Sequence, residues 1–166
     1  MLIDPFKVSD AFEQYIIRSA GAWYSDPIGL NSYQELIAWR NVYGLEQAMP
    51  VYKPTSMDVE NSIWSSAKGY QSFQAWHDRR HLIYHQNFTL AGEHYLAQQH
   101  LDELLREGVD MRDAVAVYNL VYGRNRYFHN NGKRVACNAA RFVRDAFNKG
   151  VETAARAEEG DSYICV

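Results

Sequence analysis

Cysteine is scarce in this chain: Cys137 and Cys165 are the only two in 166 residues, 28 positions apart. That spacing fits neither a Cys-x-x-Cys redox pair nor a zinc ribbon, and a reduced, intracellular compartment is the default expectation for it. Proline is confined to positions 5, 27, 50 and 54, so no proline breaks a helix in the remainder. No charge-free apolar run approaches the roughly 20 residues of a membrane span, and the N-terminal apolar positions are interrupted by Asp4 and Glu13. The expectation is a chain without a secretion signal or transmembrane helix, cytoplasmic, with peripheral attachment to a membrane left open. Charge of one sign is also lacking. With 17 Lys and Arg against 20 Asp and Glu, the net charge is −3, and any hold on nucleic acid or anionic lipid has to come from a local patch. Period-two alternation bounded by hairpin turns is missing too, as is any internal repeat.

What is present is enough apolar material for one core. Hydrophobic residues make up 47% of the chain, with 12 Tyr and 4 Trp among them, which excludes disorder over its length. Asp4-Pro5 reads as a helix start, giving a first helix over about 5–20. Asn31 or Ser32 caps a second, with Glu35 completing a capping box to Ser32. A short helix follows Ser56 or Asp58. From Tyr70 the spacing of Phe73, Trp76, His77, His81 and Tyr84 is helical, and a turn at 87–89 leads to another helix ending near Arg106. Asp110 caps the next, and Asn130-Asn131-Gly132 separates it from a last helix at 133–149, stopped by Gly150. The fold class is all-α: a single-domain helical bundle of five to seven helices over 1–150, with 151–166 a flexible acidic tail.

Five of the six histidines, at 77, 81, 85, 94 and 100, fall within 24 residues. His77, His81 and His85 are successive i, i+4 neighbours, so one continuous helix stacks them along one face. Asp78 lies beside His77, and Glu93 on a following antiparallel helix can face His77 and His81. Two imidazoles and a carboxylate make a ligand set for a divalent ion with an open position, zinc or another such as iron(II). His85 and Tyr84 are next in line as acid or base. The HExxH and paired Glu-x-x-His templates are absent. Incidental histidines in a helical interaction protein are the plain alternative.

The arrangement His77-Asp78-Arg79-Arg80-His81, eleven residues and then Glu93 is an HDxxH-x11-E pattern. It resembles the family of ubiquinone-biosynthesis proteins called Coq4, and so do Gly92 and the later segment Tyr122-Gly123-Arg124-Asn125-Arg126-Tyr127. The match covers 77–93, with looser similarity over about 64–145. The chain is short for that family, and a divergent homologue with a changed substrate fits the pattern as well. The resemblance implies a helical fold and His77, Asp78, His81 and Glu93 as metal-site residues. It further implies a metal-dependent lyase or oxidoreductase step on a prenylated aromatic acid, loss of the ring carboxyl group with hydroxylation, within a protein assembly.

Residues 124–149 carry seven cationic side chains against Asp145 alone, +6, leaving −9 for the rest. Arg124 and Arg126 are the candidates for holding an anionic head group of a small molecule. The same segment, with Tyr127, Phe128 and His129 interleaved, is the alternative basis for a nucleic-acid or regulatory binding module. A homo-oligomer is a further open expectation.

Overall fold

The computed structural model describes residues 4–156 and Tyr163. The fold is predominantly helical, and its elements in chain order are α1 (Asp10–Ser19), β1 (Trp23–Asp26), α2 (Tyr33–Tyr43), β2 (Met49–Tyr52), α3 (Ser56–Glu60), α4 (Ala67–Ile83), α5 (Leu90–Arg106) and α6 (Met111–Tyr118). A π-helical turn over Asn119–Gly123 joins α6 to α7 (Arg124–Asn130), and α8 (Ala139–Lys149) and α9 (Val151–Arg156) follow.

Local chemistry sets most of these boundaries. Ser9 caps α1, its hydroxyl accepting from Phe12 N while donating to Asp113 at 2.6 Å. Residues 6–8 before it are extended rather than the first turn of a helix, because the Phe6 and Val8 amides bond to the carbonyls of Ala140 and Ile63 and both side chains are buried. Ser32 caps α2, but the Glu35 carboxylate reaches Asn31 N and not Ser32 N, a box displaced by one residue. Asp110 and Gly150 cap and stop α6 and α8 as their residue types suggest. The last long helix begins at 139 and not 133, because Gly132 and Lys133 both take left-handed backbone after α7 and Asn138 supplies the cap.

Two features depart from an all-helical reading. β1 and β2 form a two-stranded parallel sheet, Trp23 opposite Met49 and Asp26 opposite Tyr52, with α2 as the crossover that a parallel pair requires. Each strand is four residues, too short to print an alternation. The tail is also folded in part: Ala154 and Ala155 of α9 are buried, and Tyr163 is buried and donates its hydroxyl to Asp145. Residues 157–162 and 164–166 of the expected flexible tail lie outside the described residues.

α4 is the central element. It packs on α1, α2, α3 and both strands, while α5 packs on α6, α7 and the π turn. An aromatic run, Phe12 to Trp64 to Phe73 to Trp76, carries the core along α4. α4 and α5 meet chiefly through long polar side chains instead of close backbone approach. That seam is where the histidines gather.

Candidate metal centre

α4 supplies His77 and His81 one turn apart, and α5 supplies Glu93 from its first turn. The connection between them is tightly specified. His85 takes left-handed backbone, φ 54°, immediately after α4 ends, and Gln86 N bonds back to His81 O. This is a Schellman stop with histidine where glycine is usual. Thr89 caps α5 through Gly92 N, and a Cβ on Gly92 would lie 2.4 Å from the Asn87 carbonyl oxygen. Glycine before Glu93 is thus a packing requirement of the turn that aims the carboxylate.

The three side chains converge. His77 Nε2 and His81 Nε2 are 3.1 Å apart, Glu93 Oε1 is 3.1 Å from His81 Nε2, and Glu93 Oε2 is 3.3 Å from His77 Nε2. All three residues are at least nine-tenths buried. A tetrahedral ion about 2.0–2.1 Å from its donors holds them about 3.3–3.4 Å apart; the Nε2–Nε2 separation and the two Nε2–carboxylate contacts, which end on different Glu93 oxygens, are close to that spacing.

A single proton does not satisfy every edge of this triangle. His81 Nδ1 is 2.7 Å from the Gln86 carbonyl oxygen and must donate to it. A proton on His77 Nε2 then serves one of its two neighbours and leaves the His81 Nε2 lone pair against the carboxylate. A further proton on His81 Nε2 sets two N–H groups against each other. Glu93 Oε2 is buried and has no hydrogen-bond partner of good geometry among the described residues, His77 Nε2 lying 3.3 Å away. One cation at the centre serves all three edges, and the donor set therefore fits a divalent ion.

The electrostatics are those of two imidazoles coupled to one buried carboxylate. Burial pushes the Glu93 carboxyl up, but His77 and His81 outweigh it and hold the pKa down to about 2. Burial works against the His77 imidazolium, yet the facing Glu93 carboxylate raises its pKa overall. Asp78, with a carboxylate oxygen within 4.8 Å of the ligand atoms of His77 and His81, is buried and its pKa is raised by that burial. Gln74 Nε2 donates to its Oδ1 at 2.9 Å. Asp78 also lines a cleft of about 510 Å³ between α4, β2 and the 27–31 loop, whose walls include Ile28, Leu30, Val51 and Tyr70. Among the described residues, no Lys or Arg lines it.

The structure thus gathers His77, His81 and Glu93, with Asp78 at their edge. It does not add His85 or Tyr84. The Schellman turn takes His85 off the α4 face and exposes it, and Tyr84 sits half-buried with its ring edge-on to Tyr95. The Gln86 carbonyl stands where a third stacked histidine was expected. Arg124 Nε donates to the Ala136 carbonyl, and Arg126 lies 3.7 Å from Glu152. With Lys149 on Asp145 and Arg144 over the Phe6 ring, four of the seven cations in 124–149 have partners within the chain. Cys137 is disulfide-bonded, so it offers no thiolate and the expectation of reduced cysteines fails there.

Two residues escaped the sequence reading. Arg79 is buried and donates to the carbonyls of Ala20, Ala22, Leu45 and Gln47, tying α4 to the connections around the sheet. His100 places Nε2 2.8 Å from His77 Nδ1. Its signal was available, because 93 and 100 are two turns apart on one face of a helix.

A divalent ion held by His77, His81 and Glu93 would have two nitrogen donors and one carboxylate, and could polarise an exogenous oxygen bound beside them. No known protein family, curated protein or solved structure matches the chain.

Proposed function

We propose that this protein binds one divalent metal ion, zinc or another such as iron(II), on His77, His81 and Glu93, and uses it on a small molecule held in the cleft beside Asp78. The observation that carries this reading is the buried triangle of Nε2, Nε2 and carboxylate contacts, which no single proton serves on every edge and one cation would. When bound, the ion supplies Lewis acidity to a coordinated oxygen. The chain's own residues do the rest. His81 is oriented by the Gln86 carbonyl. Asp78, kept by burial more basic than an ordinary carboxylate, stands between the centre and the cleft as a ligand or as a proton acceptor for the bound molecule.

The resemblance to Coq4 rests on the same four residues and makes a prenylated aromatic acid the first substrate to try. The apolar and aromatic walls of the cleft suit a ring or an isoprenoid chain. The test is metal content by plasma mass spectrometry on untagged wild type and His81→Ala. Near one equivalent in the wild type, lost in the variant, supports the centre and justifies binding assays with prenylated hydroxybenzoates. No metal in either protein, even after incubation with zinc, overturns the reading.

A further inference from the structure

His100 lies outside the HDxxH-x11-E pattern, yet it is the most enclosed polar group of the seam. Its relative exposure is 0%. Its ring packs on Trp76 with centroids 4.5 Å apart, and Trp76 carries the Arg80 guanidinium 3.8 Å from its own centroid. Arg80 is gripped in turn by both carboxylate oxygens of Glu103, three residues beyond His100 on α5. These contacts fix the His100 ring plane and leave Nε2 pointing at His77 Nδ1, 2.8 Å away. His100 Nδ1 has no hydrogen-bond partner among the described residues.

We propose that His100 is a positioning residue of the metal centre. It accepts a hydrogen bond from His77 Nδ1–H and thereby fixes the tautomer that presents the His77 Nε2 lone pair to the ion. The inference rests on the metal-binding reading. A neutral imidazole that coordinates through Nε2 must carry its hydrogen on Nδ1, and His100 Nε2 is the hydrogen-bond partner found there. The His100 hydrogen then resides on its own Nδ1. His81 receives the corresponding support from a backbone carbonyl, so both ligand imidazoles are oriented through Nδ1. Ligand histidines often lean on a carboxylate in this role. Here the acceptor is uncharged, so it adds no negative charge to a centre that already holds the Glu93 carboxylate, and a bound ion would stay the stronger Lewis acid.

The test compares wild type, His100→Phe and His100→Gln. Phenylalanine keeps a ring over Trp76 without an acceptor, whereas the glutamine amide oxygen restores one. Zinc affinity is read by competition with a chromophoric chelator, and the cobalt(II)-loaded proteins are read by visible absorption. The expected result is a roughly 10- to 100-fold loss of zinc affinity and displaced cobalt bands in His100→Phe, with His100→Gln within a few-fold of wild type. Unchanged affinity and spectrum in a folded His100→Phe, or equal losses in both variants, overturns the inference while leaving the centre standing. If His100→Phe does not fold, His100→Leu takes its place beside His100→Gln: a loss in His100→Leu that glutamine restores supports the role, and equal affinities in the two overturn it. A wild type that takes up neither metal removes the metal reading itself, and this proposal with it.

Discussion

Replacing Glu93 by Gln separates a metal centre from a buried ion pair, because the two readings share one consequence and differ in another. The shared consequence concerns stability without added metal. The Glu93 pKa is held at about 2 in the fold against a usual 4.5, which corresponds to stabilisation on the order of 3 kcal/mol. The sign follows from the depression. The contribution is complete above pH 4.5, is lost as pH falls from there through about 2, and is missing at neutral pH in Glu93→Gln. The distinguishing consequence is the response to metal. Free zinc at a hundredfold over Kd stabilises a binding fold by about 2.7 kcal/mol. For a chain of this length that raises Tm by about 5–11 °C. If losing the carboxylate weakens affinity a hundredfold, the same zinc stabilises the variant by only about 0.4 kcal/mol, or about 1 °C. Scanning calorimetry on both proteins, with and without zinc or iron(II), reads this directly. The zinc-dependent shift should also fade on acidification beginning above pH 6.5, because the raised pKa of His77 lets protons compete early for Nε2. A wild-type Tm indifferent to both metals, or an equal shift in Glu93→Gln, refutes the reasoning.

His85→Gly should raise stability by about 1 kcal/mol, since the position is left-handed and exposed, and leave metal content unchanged; loss of metal or activity in this variant would restore His85 to the site. Arg79→Met strips charged donors from four backbone carbonyls, and a loss on the order of 3–5 kcal/mol, roughly 10 °C in Tm, is expected by thermal or urea unfolding. A shift under about 1 kcal/mol would mean that water replaces those bonds. Gly92→Ala forces the Asn87 carbonyl away from the start of α5 and is expected to weaken zinc binding at least tenfold with a smaller change in helix content by circular dichroism; unaltered affinity would show that the turn does not aim Glu93.

Much of the fold was legible because the chain spells helices plainly. Ser32, Asp110 and Gly150 are residue types whose own hydrogen bonds or backbone freedom begin and end helices, and they do so here. The first helix was misplaced because Asp4-Pro5 is a start signal that long-range bonds from Phe6 to Ala140 and from Val8 to Ile63 override. The strands were missed because four residues in parallel pairing carry no periodic mark of their own, and their partner lies across a crossover.

The candidate centre divides in the same way. Helical spacing and the Gly92-Glu93 step determined by themselves that His77 and His81 share a face and that a carboxylate follows a turn. Tertiary structure alone decided which neighbours complete the set. One left-handed residue at 85 removed the third stacked histidine and put the Gln86 carbonyl on His81, and the α4–α5 seam brought His100 onto His77 and left Arg124 and Arg126 with other partners. Spacing along a helix is fixed by its 3.6-residue turn. The place where a helix stops, and what packs across from it, depends on contacts between residues far apart in the chain.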